Sequence, residues 1–208
     1  MPSFPAVCGS LAQAFVDDPF YRAVTVAFEA DAARRQQALA RYFALAIEEG
    51  RAIGEIQLSG DDGAAIWMTN EASGADVALH GAARNRALAA LLGPDGHGNY
   101  ARICEAMTAR VPAHLANAWY LSILGVRPDA RGRGLAQAML EPTLARADRL
   151  GETCFLETFN PLSIPFYERL GFALEADCFE AVTGRPYWIL SRRASPHPPH
   201  FGNNPHAR

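Results

Sequence analysis

Three arginines, Arg127, Arg131 and Arg133, crowd with Gly132 and Gly134 into one short turn. Those residue types suit an anion. Guanidinium groups bring fixed charge and forked donors, and glycine lets a ligand come close to the backbone. A helical pattern follows at once, with Ala136, Leu140, Leu144 and Ala147 on one face. The N–H groups at a helix start have no internal partner and carry partial positive charge, so they would add to the same site. An arginine-rich turn can also be merely solvated. Next to glycines and a helix start, attraction for a phosphate-rich ligand is the better reading.

The elements around this turn are legible from periodicity. Trp119 to Val126 is an apolar run dense enough for a buried strand, and Arg127-Pro128-Asp129 breaks it. Thr153 to Thr158 reads as another strand, ended by Asn160-Pro161. Ser163 is the preferred N-cap of the next helix, because Pro165 then falls in its first turn, and Gly171 closes it. Phe172 to Val182 and Arg185 to Arg192 make a closing hairpin around Thr183-Gly184. Upstream, Ser10 to Phe15 predicts a short helix capped by Ser10, and Phe20 to Phe28 is an apolar segment of open type. Asp31 caps a strong helix with Leu39, Tyr42, Phe43, Ala46 and Ile47 on one face, ending at Gly50. Ala52–Leu58 and Ala64–Thr69 read as a hairpin. The Ala- and Gly-rich stretch after it predicts helices over Asp76–Leu92 and Tyr100–Arg110, an inserted cap spanning residues 70–113. Pro142 predicts a bend in the helix that starts at Leu135.

Composition narrows the classes. The chain has 208 residues, half of them hydrophobic, with a net charge of −3. That is enough for one domain over residues 1–194 and argues against general nucleic-acid binding. No apolar run approaches the ~20 residues of a membrane span, and the start lacks a signal-peptide pattern. Four scattered cysteines form no metal-ligand pair, so no metal is expected and a cytoplasmic location is. The Pro- and His-rich stretch 195–208 predicts a disordered tail. A homodimer is left open.

Arg131-Gly132-Arg133-Gly134-Leu135-Ala136, following a strand that ends Val126-Arg127-Pro128, resembles the acyl-CoA site of the GNAT superfamily of N-acetyltransferases. Asn160 to Phe172, with Asn160, Tyr167 and Gly171-Phe172 at the superfamily's spacing, resembles its second block. The resemblance is close over Trp119–Phe172 and looser to Arg192. It implies an α/β (α+β) fold with a mixed, mostly antiparallel central sheet and helices on both faces. Two central strands, Trp119–Val126 and Thr153–Thr158, would splay to admit the pantetheine arm of acetyl-CoA. It further implies that Leu124 and Val126 meet the thioester and that arm through their backbone. The Leu124 N–H would polarise the acetyl carbonyl. The backbone of Arg131, Gly132, Arg133, Gly134, Leu135 and Ala136 would take the pyrophosphate, and Asn160 would hydrogen-bond the cosubstrate. The implied activity is direct acetyl transfer from acetyl-CoA to the amine of a small molecule.

Such a transfer needs a neutral amine and a proton for the leaving thiolate. Deprotonating an alkyl ammonium of pKa ~10.4 at neutral pH costs roughly 4.6 kcal/mol, enough to call for a base, a water relay or an apolar pocket. Trp119 to Val126 holds no acidic residue, where many GNAT members carry one. Glu157 on the neighbouring strand is the nearest acidic candidate, its plain alternative being a solvated strand end, and Ser122 could hold a water. Tyr167 matches the general acid; otherwise it packs beside Phe166. Asn160 is otherwise a turn residue. Asp17–Tyr21, Trp67 and the insertion could line the acceptor site, suggesting an amphipathic or aromatic amine, although Trp67 is equally at home in a core. Acetylation of a protein amine and a catalytically inert acyl-CoA sensor are the competing readings.

Overall fold

The computed structural model describes residues 4–195. The Pro- and His-rich stretch expected to be disordered lies, from residue 196 on, outside the described residues. Six strands form one sheet in the order β1-β2-β3-β4-β6-β5. They are β1 (Gly54–Leu58), β2 (Gly63–Met68), β3 (Trp119–Val126), β4 (Cys154–Thr158), β5 (Ala173–Glu180) and β6 (Arg185–Arg192). Every neighbouring pair is antiparallel except β3 with β4. Helices cover both faces. One apolar core joins the sheet to α1 (Phe4–Ala14), α2 (Pro19–Val24), α3 (Ala32–Ile53) and α4 (Gly74–Thr108). A second joins it to α5 (Leu135–Leu150) and α6 (Ile164–Arg169).

Helix starts follow their capping chemistry. Asp31 Oδ1 accepts from the Arg34 N–H at 3.0 Å, as its position predicts. Asp18 Oδ1 does the same for α2, accepting from Phe20 and Tyr21, with Pro19 in the first turn. The segment left open in the sequence is therefore helical. Ser10 does not cap α1. It sits inside that helix, and its hydroxyl donates to the Asp61 carbonyl at 2.6 Å. Gly50 is likewise interior, because α3 continues to Ile53 with Gly50 facing Ile66 and Ile56 on the sheet. α5 runs through Pro142 unbroken and ends at Gly151, which is left-handed at φ 76°.

α4 is two arms. Gly93 breaks it at φ 71°, where Gly93-Pro94 was expected to close a helix. The second arm begins immediately, not at Tyr100. In an unbroken helix Arg84 and Tyr100 would stand about 24 Å apart, too far for their side chains to meet. Here Arg84 Nη1 donates to the Tyr100 hydroxyl at 3.1 Å, so the second arm folds back along the first.

β3 carries one extra residue. Ile66 faces Ile123 and Trp67 faces Leu121, leaving Ser122 as a bulge. The bulge reverses which face each later side chain meets. Trp119 and Leu121 belong to the α5–α6 core, Ile123 to the opposite one, and Leu124 and Val126 to the α5–α6 core again. Gly125 then lies against α1, where a Cβ would meet Leu11 and Phe15 at 2.7 Å. Arg192 of β6 is buried and locks this half of the fold. It donates to both Asp148 oxygens at 2.7 and 2.8 Å and to the Leu170 carbonyl at 2.9 Å.

Candidate active site

Pairing between β3 and β4 covers only Trp119–Cys154, Tyr120–Phe155 and Leu121–Leu156. Beyond the bulge the strands part. The Arg127 N–H donates to Asp62 O at 2.9 Å. By the alternation of an antiparallel ladder, Gly125 then bonds to Ala64, whereas Leu124 and Val126 direct their N–H and C=O groups toward the gap. A cavity of about 1490 Å³ opens at this gap. Leu124, Val126, Arg131 and Ala136 line it from the turn side, and Glu157, Asn160 and Tyr167 from the other.

The turn between β3 and α5 is built as an anion cradle by its backbone. Gly132 and Gly134 are left-handed, at φ 75° and 76°, and a Cβ on either would point into open space. Among the described residues no side chain caps α5, whose first turn meets the cavity at Ala136, so its first N–H groups are left for a ligand. The arginines contribute less than their number suggests. Arg127 is paired with Asp62 at 2.6 Å and Asp129 at 2.9 Å. Arg131 serves the backbone, donating to the Val126 and Ala14 carbonyls. Arg133 is mostly exposed and stands 3.6 Å from Asp62.

Glu157 is not a solvated strand end. Its Oε2 accepts from the Tyr120 hydroxyl at 3.2 Å, and its Oε1 is inaccessible and has no hydrogen-bond partner among the described residues. Burial pushes its carboxyl up to about 7, against the opposing pull of the Tyr120 hydroxyl. Such a group changes charge near neutral pH, which is what a base needs. Tyr167 is buried between Phe166 and Phe172, with both rings edge-on. Burial holds its phenol well above the ordinary tyrosine range, so it stays protonated. Its hydroxyl makes no hydrogen bond among the described residues and is free to donate.

Asn160 caps the short 3-10 turn Pro161–Ser163, its Oδ1 accepting from the Leu162 N–H at 3.1 Å. Ser163 stands at the α6 boundary but provides no side-chain cap; its hydroxyl donates to the Asn160 carbonyl. Trp67 is fully buried in the α5–α6 core and does not reach the cavity. Asp18 and Tyr21 do line it, and burial raises the Asp18 carboxyl to about 6 despite N–H bonds from Tyr21 and Phe20. The insertion expected to line it does so, through Arg84 and Tyr100 among others, while sequence reasoning missed Tyr120 and Tyr42, which also line it. Tyr42 was legible only as part of an apolar helix face, and nothing singled out Arg84 within the insertion.

Residues 101–172 match the acetyltransferase (GNAT) family. Over nearly its whole length the chain is similar to a Corynebacterium glutamicum structure described as histone acetyltransferase HPA2 and related acetyltransferase. That likeness has a TM-score of 0.62 at 22% identity and covers 94% of this chain and 95% of the other. It is also similar to arylalkylamine N-acetyltransferase 2 from Aedes aegypti, with a TM-score of 0.56 at 15% identity over 92% and 94% of the two chains. At these identities the likenesses speak for the fold. Among the described residues no helix is long and apolar enough to cross a membrane.

Proposed function

We propose that the chain is an acetyltransferase of the GNAT family, a reading supported by the family match over residues 101–172 and the likeness in fold, and that it moves an acetyl group from acetyl-CoA directly to the amine of a small molecule. The observation that carries this reading is the gap in the sheet, where β3 leaves β4 after Leu121. Its edge offers unpaired backbone groups, and a deep cavity bearing a carboxylate and a phenol opens beside it. The chain's residues fit acetyl-CoA: free N–H groups at the start of α5 for the pyrophosphate, and an open strand edge for the amide-rich arm. When bound, acetyl-CoA supplies the activated acetyl group. The Leu124 N–H then faces the acetyl oxygen as it gains charge. Glu157 takes the proton from the incoming ammonium, directly or through a water held near Ser122. Tyr167 donates to the departing sulfur.

Residues of α2 and of both arms of α4 line the acceptor side, and these added walls favour a small amine over a protein segment needing a long open groove. Release of free CoA thiol across a panel of small amines tests the assignment. Turnover on at least one member is expected; thiol release only with peptide amines would replace the small-molecule reading by the protein one. Gly134→Ala tests the cradle. A side chain there carries about 1–2 kcal/mol of left-handed strain. Calorimetric titration should show acetyl-CoA affinity falling about 10-fold, equivalent to about 1.4 kcal/mol. An unchanged Kd would remove this turn from the binding site.

A further inference from the structure

Arg84, Tyr42 and Tyr100 form a second polar centre on the cavity wall, outside the residues assigned to transfer. Arg84 Nη1 donates to Tyr100 and Nη2 to Tyr42, each at 3.1 Å. Its plane also lies over both rings, 5.3 Å from the Tyr42 centroid and 5.9 Å from that of Tyr100. The two phenols accept from the guanidinium; the Tyr100 hydroxyl is also hydrogen-bonded to the Cys104 thiol, which leaves the Tyr42 O–H as a polarised donor. Arg84 uses only part of its fork on these neutral partners. The Glu49 carboxylate is 3.4 Å from Nε, which has no accessible surface and so is not offered to a ligand. Each Nη carries two N–H groups and makes one hydrogen bond among the described residues. The spare N–H groups are the donor capacity Arg84 keeps in a cavity that also holds the carboxylate of Glu157.

The two centres belong to one continuous space. Cys104 of α4 lines the same cavity as Arg84 and Glu157. Phe20 packs edge-on against both Tyr42 and Tyr100, which gives the intervening wall an apolar, aromatic character. The cavity is therefore amphoteric: a proton acceptor toward the sheet gap and a cationic, donor-rich end away from it.

We propose that Arg84, with Tyr42 and Tyr100, binds a carboxylate carried by the acceptor itself, so that the substrate is an amino acid-type amine. This rests on the transfer reading above. Its charge matches a single carboxylate better than a phosphate group, because Glu49 already shares the one guanidinium. The ammonium end then lies toward Glu157, and an apolar side chain lies along Phe20 and its neighbours.

The test compares matched pairs: phenylalanine against 2-phenylethylamine and phenylalaninamide, and methionine against 3-(methylthio)propylamine. Thiol release gives kcat and KM, and calorimetry gives acetyl-CoA affinity for the same preparations. The acid members should show kcat/KM about 10- to 100-fold higher, the range of a hydrogen bond to a charged group. Arg84→Gln should close that gap chiefly through KM, leaving acetyl-CoA affinity as it was. The proposal is overturned if no acid member outperforms its partner, or if the preference survives in Arg84→Gln. Loss of acetyl-CoA binding in the unaltered protein would instead sink the transfer reading. Intact binding with carboxylate-free amines acetylated equally well would sink only the carboxylate site.

Discussion

Tyr167→Phe lowers turnover by about 100-fold and leaves acetyl-CoA affinity nearly unchanged, at the lower end of what a positioned proton donor contributes. The substitution removes one oxygen and keeps the ring against Phe166 and Phe172. Because that hydroxyl has no partner among the described residues to orphan, folding stability should hold. An ordinary phenol giving its proton to a thiolate is uphill by about 2 kcal/mol. Burial raises the Tyr167 phenol further, so a free-standing proton transfer is costly. Donation as charge builds on sulfur is a different matter, since a water-poor site strengthens that hydrogen bond. Steady-state kinetics on any working amine, paired with calorimetry, separate the two effects. Undiminished turnover would take Tyr167 out of the acid role.

Glu157→Gln should cost about 100-fold or more in kcat/KM at mildly alkaline pH and flatten the pH profile. With its carboxyl raised to about 7, the unaltered protein should gain activity as pH rises through that value and then level off. The groups around it, Tyr120, Cys104 and Tyr187, are all neutral over that range. Stability should move in the opposite sense. A carboxyl raised in the folded state favours folding fully below its ordinary 4.5, and that contribution is lost as pH passes about 7. The Gln variant is therefore the more stable one in alkali, by up to roughly 3 kcal/mol, and its advantage shrinks toward acid pH. Thermal unfolding followed across pH checks this without a substrate. A melting difference that does not vary with pH would mean that Glu157 is not held neutral.

The segments readable from sequence were those in which local chemistry and tertiary packing agree. Asp31 with its apolar stripe and the glycine turn before α5 all name their own structure. Ser10 misled because its hydroxyl serves Asp61, far away in the chain, and not its own helix. The second arm of α4 was hidden by glycines that disfavour helix locally. Gly96 is there for packing: a Cβ would sit 2.3 Å from the Val24 carbonyl. Likewise, the resemblance named Leu124, Arg131–Ala136, Asn160 and Tyr167, and Glu157 was reached by elimination along β3. The aromatic and cationic wall could not be reached that way, because Tyr42, Arg84 and Tyr100 meet only once α4 has folded back at Gly93. Arg127 shows the converse, a residue well suited to an anion that is already paired within the fold.

The bulge at Ser122 makes β3 a strand of two phases joined by one surplus residue. Strand length at this point is thus arithmetic as well as geometric. Were Ser122 drawn into regular pairing instead of bulging out, every position after it would be reversed. Leu124 and Val126 would exchange faces with their neighbours, and their N–H groups would turn from the open edge to β2. Chemical identity could be kept throughout and the site would still vanish, since what Ser122 contributes first is parity.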